Sequence, residues 1–202
     1  MTRESAKMRI IGIDPGYAIT GYGIIDKTGS KFEVVDYGAI ETKAGVDFPL
    51  RLLAINDKIK FLLEQYKPEY MSIEELFMGH NHTTVIGTAQ ARGAVLVEAA
   101  RAGVEVFEFT PGQVKLAITG YGKAEKKQVQ IMTKSILGLK EIPKPDDAAD
   151  ALALAITLAN TGVAFAGKAV SGYQYGRYGY SNRNQGFILF IDRILISDLR
   201  RN

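Results

Sequence analysis

The chain has 202 residues, 47% of them hydrophobic and 23% charged, which suits one globular domain with a sizeable core and room for an appended tail. There is no cysteine and only two histidines, His80 and His82, so disulfides, thiolate zinc sites and cysteine nucleophiles are excluded and most histidine-based metal sites lack ligands. Met1 to Met8 lacks the apolar core of a signal peptide, and the late apolar run Phe187 to Ile196 is broken by Asp192 and Arg193 and falls short of the ~20 residues that span a bilayer, so a cytoplasmic protein is expected.

In chain order, Arg9 to Asp14 is an apolar run that ends in an acid before Pro15-Gly16, the pattern of a strand entering a turn. Gly21 to Asp26 and Phe32 to Glu41 read as two more strands, joined through Lys27-Thr-Gly-Ser30 into an antiparallel meander. Leu50 to Tyr66 has helical apolar spacing at Leu52, Leu53, Ile55, Ile59, Leu62 and Leu63, and Lys67-Pro68 ends it. Tyr70 to Glu74 is a short strand. Thr83 to Arg101 is an alanine-rich helix with apolar residues on more than one face, stopped by Gly103. Val104 to Phe109 is the fifth strand, and Pro111 to Ile118 a short helix. Ala124 to Leu137 predicts an amphipathic helix with Val129, Ile131, Met132 and Ile136 inward and lysines outward. Asp146 to Asn160 is a final helix, apolar after its first turn.

Three antiparallel strands followed by strand–helix alternation imply an α/β fold with one mixed sheet flanked by helices. The folded domain is expected to span residues 8–161. Residues 162–202 change composition, with Tyr173, Tyr175, Tyr178 and Tyr180 among glycines and polar residues, and read as a tail of unknown role that is poorly ordered or partner-dependent.

Net charge is +3 but unevenly spread. Residues 1–112 hold 12 basic and 15 acidic side chains; residues 113–145 hold seven lysines against Glu125 and Glu141; residues 146–161 hold three aspartates and no base. A polyanion held on the lysines beside an acidic cluster is one reading, and a solvated lysine-rich helix face is the other.

Four acids stand out by position. Asp14 and Glu74 each close an apolar strand, and Asp147 and Asp150 open the last helix three residues apart, on one face. A helix as apolar as this one must pack on the sheet, which brings its first turn to the edge where both strand-end carboxylates emerge. Clustered carboxylates resist burial unless a cation compensates them. All-oxygen ligands suit Mg²⁺ or Mn²⁺, and two such ions ~4 Å apart can activate water and stabilise the leaving oxygen in phosphodiester hydrolysis. Each acid also has a plainer reading. Asp147 and Asp150 complement the helix macrodipole, worth ~0.3–1 kcal/mol each. Asp146 suits the helix N-cap, Asp14 an ordinary turn acid, and Glu74 or Glu75 a strand-end surface residue.

Ile11-Gly-Ile-Asp-Pro-Gly16 with Thr20-Gly-Tyr-Gly23 resembles the opening of RuvC Holliday-junction resolvases. So do Ile73-Glu-Glu-Leu-Phe-Met78, Ala89-Gln-Ala-Arg-Gly93, Gln113-Val-Lys115, Ala124-Glu-Lys126 with Gln128-Val-Gln130, and Asp147-Ala-Ala-Asp-Ala-Leu-Ala153, in the family's order over Met8 to Thr161. The first motif alone is shared with actin-like and sugar-kinase ATPases, whose two lobes need a longer chain. A catalytically silent junction-binding module is a further rival, against which the complete acid set argues.

The resemblance implies an RNase H-like five-stranded fold. It implies that Asp14, Glu74, Asp147 and Asp150 are catalytic metal ligands for Mg²⁺, with Mn²⁺ able to substitute and two ions per site. It implies a homodimer that makes symmetric nicks in four-way junction DNA, in recombination and repair, and that cooperates with a RuvA–RuvB-type branch-migration complex. Phe77 matches the family's aromatic that stacks at the junction crossover, although a core position is open to it as well. Lys115 and Lys126 match two lysines important for DNA binding and catalysis, and Lys123 and Lys127 extend that track. The tail has no counterpart in the resemblance.

Overall fold

The computed structural model describes residues 6–76 and 82–163. Phe77 and, beyond Val163, the tail expected over 162–202 lie outside these residues. Ten elements follow the expected order: β1 (Met8–Asp14), β2 (Ile19–Thr28), β3 (Lys31–Glu41), α1 (Phe48–Tyr66), β4 (Tyr70–Glu74), α2 (His82–Ala102), β5 (Glu105–Phe109), α3 (Pro111–Thr119), α4 (Lys126–Ile136) and α5 (Asp146–Thr161).

The strands form one sheet in the order β3-β2-β1-β4-β5. β1, β2 and β3 pair antiparallel, whereas β4 lies parallel to β1 and β5 parallel to β4. Parallel pairing demands crossovers, and α1 and α2 supply them. The two-residue period of β1 sorts its side chains: Ile11 and Ile13 join a core with α1 and α2, while Ile10 joins a second core with α3, α4 and α5 on the opposite face. The described residues thus form a helix–sheet–helix sandwich, with both faces of β1 and β4 buried.

Two details of the helices differ from expectation. Pro145, not Asp146, occupies the N-cap of α5, so Asp146 falls in the first turn, where its charge complements the exposed N–H groups. On α4 the buried residues are Val129, Gln130 and Thr133, while Ile131 and Met132 are exposed. Apolar side chains alone suggested another stripe; the position of α5 decides the face, and Gln130 and Thr133 are buried in spite of their polarity.

α5 rests on the sheet at backbone distance. A Cβ built on Gly12 would stand 1.9 Å from the Ala151 carbonyl oxygen, one on Gly21 2.0 Å from that of Asp147, and one on Gly23 2.7 Å from the Leu152 side chain. Side chains at those three positions would lift the helix. Their lack lets it lie flat over β1 and β2, and every residue from Ala151 to Ala159 is buried.

Candidate active site

Asp14 and Glu74 are the last residues of adjacent parallel strands, one step beyond the Ile13–Ile73 pair. Ile13 and Ile73 face α1 and α2, so the alternation turns both carboxylates toward α5. α5 begins over the same edge: the Asp147 backbone lies against Gly21, which pairs with Asp14 across the β1–β2 ladder. Asp150, one turn on, shares that end of the helix. Four acids from three separated stretches of sequence therefore meet at one corner of the sheet.

Their charges are felt. Burial, then repulsion from Glu74, Asp150 and Asp147, pushes the Asp14 carboxyl up to about 8, with Lys126 partly offsetting. Burial and Asp150 raise Glu74, and burial with Asp147 and Asp146 raises Asp150 against the pull of Lys126. Among the described residues Lys126, the first residue of α4, is the cation that pairs with these carboxylates. Its ammonium lies 2.8 Å from Asp150 and 3.9 Å from Asp146. Burial lowers its pKa, but the Asp150 hydrogen bond and the surrounding acids outweigh that and raise it. Lys126, expected as a lysine that contacts DNA, is thus also a counter-ion of the acids.

No three of the described carboxylates converge on one ion-sized point. The donor set nevertheless fits a hard divalent cation: every donor is an oxygen, the four acids are half-buried, and among the described residues the Lys126–Asp150 pair leaves most of their charge uncompensated.

Of the other lysines, Lys115 lies on α3, and Lys123 and Lys127 are exposed around the start of α4. None of the three makes an ion pair among the described residues. They form a basic flank beside the acids.

Two supports escaped the sequence reading. Arg92 of α2 reaches under the corner from the other face: its Nε donates to the Glu74 carbonyl at 3.4 Å, and its guanidinium pairs with the Glu108 carboxylate of β5. It ties the ends of β4 and β5 to the helix that crosses them. Arg92 stands inside the Ala89–Gly93 motif, but nothing in helical spacing says that an arginine there turns inward. Thr20, fully buried, donates to the Gly16 carbonyl at 2.6 Å and fixes the turn that follows Asp14.

Comparison with known proteins decides the family. A family model described as Crossover junction endodeoxyribonuclease RuvC matches residues 10–158. The chain belongs to the RuvC family. A RuvC of Brevibacillus brevis, named crossover junction endodeoxyribonuclease, is 57% identical over 150 residues, 74% of this chain and 90% of that one. Its counterpart from Fusobacterium nucleatum is 54% identical over 154 residues, 76% of this chain and 81% of that one. Among solved structures, Thermus thermophilus RuvC in complex with a Holliday junction substrate superposes with a TM-score of 0.72 at 37% identity, covering 76% of this chain and 93% of that one. The yeast mitochondrial Holliday junction resolvase, at 12% identity and a TM-score of 0.54, shares the fold. The RuvC family is one of nucleases with the RNase H-like fold, and the mixed five-stranded sheet flanked by helices is that fold. Among the described residues no helix is long and apolar enough to cross a membrane.

Proposed function

We propose that this RuvC-family chain is a structure-selective endonuclease that resolves Holliday junctions by hydrolysing backbone phosphodiesters, with symmetric nicks, in recombination and repair in the cytoplasm. The observation that carries the reading is the meeting of Asp14, Glu74, Asp147 and Asp150 at one sheet corner, where burial and mutual repulsion hold Asp14 at about 8. Groups that destabilise one another in this way are kept for function rather than folding. The similarity to the Thermus thermophilus protein, solved with a Holliday junction substrate, supports the choice of DNA.

In this reading the four acids hold Mg²⁺, with Mn²⁺ able to substitute and two ions per site, as catalytic ligands. The bound ions supply charge stabilisation at the scissile phosphate and lower the cost of deprotonating the attacking water. The chain does the positioning. Gly12, Gly21 and Gly23 let α5 bring Asp147 and Asp150 to the strand ends. Arg92 steadies the backbone of Glu74. Lys126 shields the acids from the incoming phosphate, and Lys115, Lys123 and Lys127 hold the neighbouring backbone. Phe77 stacks on a base at the junction crossover.

Symmetric cleavage needs two sites. α2 presents outward Ile86 (62% exposed), Gln90, Gly93 and Val97 (49% exposed) as one stripe. A Cβ on Gly93 would meet nothing within 4 Å among the described residues, so none of their contacts calls for glycine there. Close approach of a second α2 across a two-fold axis would, and we assign the stripe to a homodimer. Family resemblance adds a RuvA–RuvB-type branch-migration complex as partner.

The test is cleavage and binding of synthetic four-way junctions by Asp14→Asn, Glu74→Gln, Asp147→Asn and Asp150→Asn. Each is expected to lose cleavage by at least ~100-fold, the scale of removing one preorganised charge-stabilising group, while junction affinity stays nearly unchanged. Near-parental cleavage in Mg²⁺ by the Asp14 or Glu74 variant rules out this site.

A further inference from the structure

Between α3 and α4 lies Gly120-Tyr-Gly-Lys-Ala-Glu125, whose geometry goes beyond a lysine track. The segment is tightly pinned. Gly120, at φ 76°, closes α3 by donating to the Leu116 carbonyl at 2.9 Å. The Thr119 hydroxyl donates to the Lys115 carbonyl at 2.8 Å and accepts from the Tyr121 N–H at 3.2 Å. The Tyr121 carbonyl accepts from the Ala124 N–H at 3.0 Å, and Ala124 itself is buried in the core shared by α3, α4 and α5.

On this fixed backbone the Tyr121 side chain points out, 60% exposed, and Leu116 beside it is 56% exposed. The position of a Cβ on Gly122 lies 3.9 Å from the Leu116 Cβ, so the loop passes directly over that leucine. Tyr121 and Leu116 thus lie together as an exposed apolar pair on a hydrogen-bonded backbone. The surroundings say what meets it. From residue 113 to 140 the sequence carries Lys115, Lys123, Lys126, Lys127, Lys134 and Lys140 against Glu125 alone. Lys126, five residues on, touches Asp150 at 2.8 Å, so the patch adjoins the acid corner.

We propose that Tyr121, backed by Leu116, is a second aromatic contact for DNA, which stacks on an unpaired base of the strand that leaves the acid corner across the start of α4. The inference rests on the nuclease reading and deepens it. The lysines take the phosphates, and the ring and the leucine take what phosphates leave over, a base face and its sugar. Base-stacking on an exposed aromatic inside a basic groove is how proteins hold single-stranded nucleic acid. A paired duplex offers no free base face, so the contact selects DNA whose bases are opened next to the cut.

The test compares the full-length parent with Tyr121→Ala and Tyr121→Phe, in EDTA, on a four-way junction, a single-stranded oligonucleotide and a linear duplex across a salt series. Tyr121→Ala is expected to weaken binding to the junction and the single strand on the order of tenfold, to leave duplex binding within about twofold, and to keep the salt slope, since no phosphate contact is lost. Tyr121→Phe keeps the ring and should bind like the parent. Equal loss by both variants would mean a hydroxyl contact rather than stacking, and overturns the proposal. So does a Tyr121→Ala variant that binds every DNA like the parent, which would turn the patch over to a protein partner. If the parent itself binds none of the three DNAs, the nuclease reading fails first; if the parent binds and Tyr121→Ala is silent, only this inference falls.

Discussion

Asp14 sits where burial and three neighbouring acids all oppose its charge, and its ionisation therefore acts on the stability of the whole fold. Its folded pKa, about 8, lies above the ordinary carboxylate value, so between the two the folded state binds a proton that the unfolded chain has released. Stability from this group is fully present below the ordinary value and falls as pH rises toward about 8. In EDTA the parent should lose melting temperature from pH 5 to pH 8, whereas Asp14→Asn, which cannot ionise, should lose much less. At pH 8 the variant should be the more stable of the two by at least ~1.4 kcal/mol, the worth of one pKa unit. Mg²⁺ should stabilise the parent and leave Asp14→Asn nearly unmoved. Calorimetry on both proteins at the two pH values checks this, and parallel profiles would remove Asp14 from the cluster. Lys126 shows the same electrostatics from the other side: its ammonium is held at 2.8 Å by Asp150.

The element that makes the site is α5. It contributes Asp147 and Asp150 only because its backbone comes within touching distance of β1 and β2, and that approach is set by glycines in the strands rather than by anything in the helix. A methyl at Gly21 would collide with the Asp147 carbonyl at 2.0 Å, and neither partner is a flexible side chain that can step aside. Gly21→Ala should thus push the first turn of α5 off the sheet, with a stability loss of ~1–3 kcal/mol and a loss of cleavage of ~100-fold, since an ångström of misplacement is enough to spoil positioning. A fold that melts like the parent and cuts like it would show that α5 is not seated as described. Gly93 is the instructive contrast. It is a helix glycine with open space around it, and its mid-helix position costs ~0.5–1 kcal/mol relative to alanine with no return inside the chain.

For the whole molecule the question is how many sites meet one substrate. The stripe Ile86, Gln90, Gly93 and Val97 and the basic flank from Lys115 to Lys127 belong to different parts of the fold, α2 on one face of the sheet and α3–α4 on the other. A dimer built through α2 therefore leaves both basic flanks open to DNA. Val97→Glu should convert the dimer to monomer, since two like charges face each other across a two-fold axis. Light scattering at micromolar concentration should report half the parental mass with the melting temperature within a few degrees of the parent. The monomer should nick one strand of a junction without the paired second cut. A parental mass for this variant would move the interface elsewhere on the surface.

The order of strands and helices, the class of sheet and the meeting of Asp14, Glu74, Asp147 and Asp150 at one corner of the sheet were legible in the sequence, because they follow from local rules: the period of apolar residues, acids at strand ends, glycine and proline at the breaks. β4 ends at Glu74 and α5 starts at Asp146, where those rules put them. The inward turn of Arg92, the pairing of Lys126 with Asp150, and the burial of Gln130 and Thr133 in place of Ile131 and Met132 were not legible. Each depends on which element comes to lie against which. A side chain's own character states a preference for burial or water, but the neighbours that grant or refuse it arrive from distant parts of the chain, and only the packed sheet and its two helix layers bring them together.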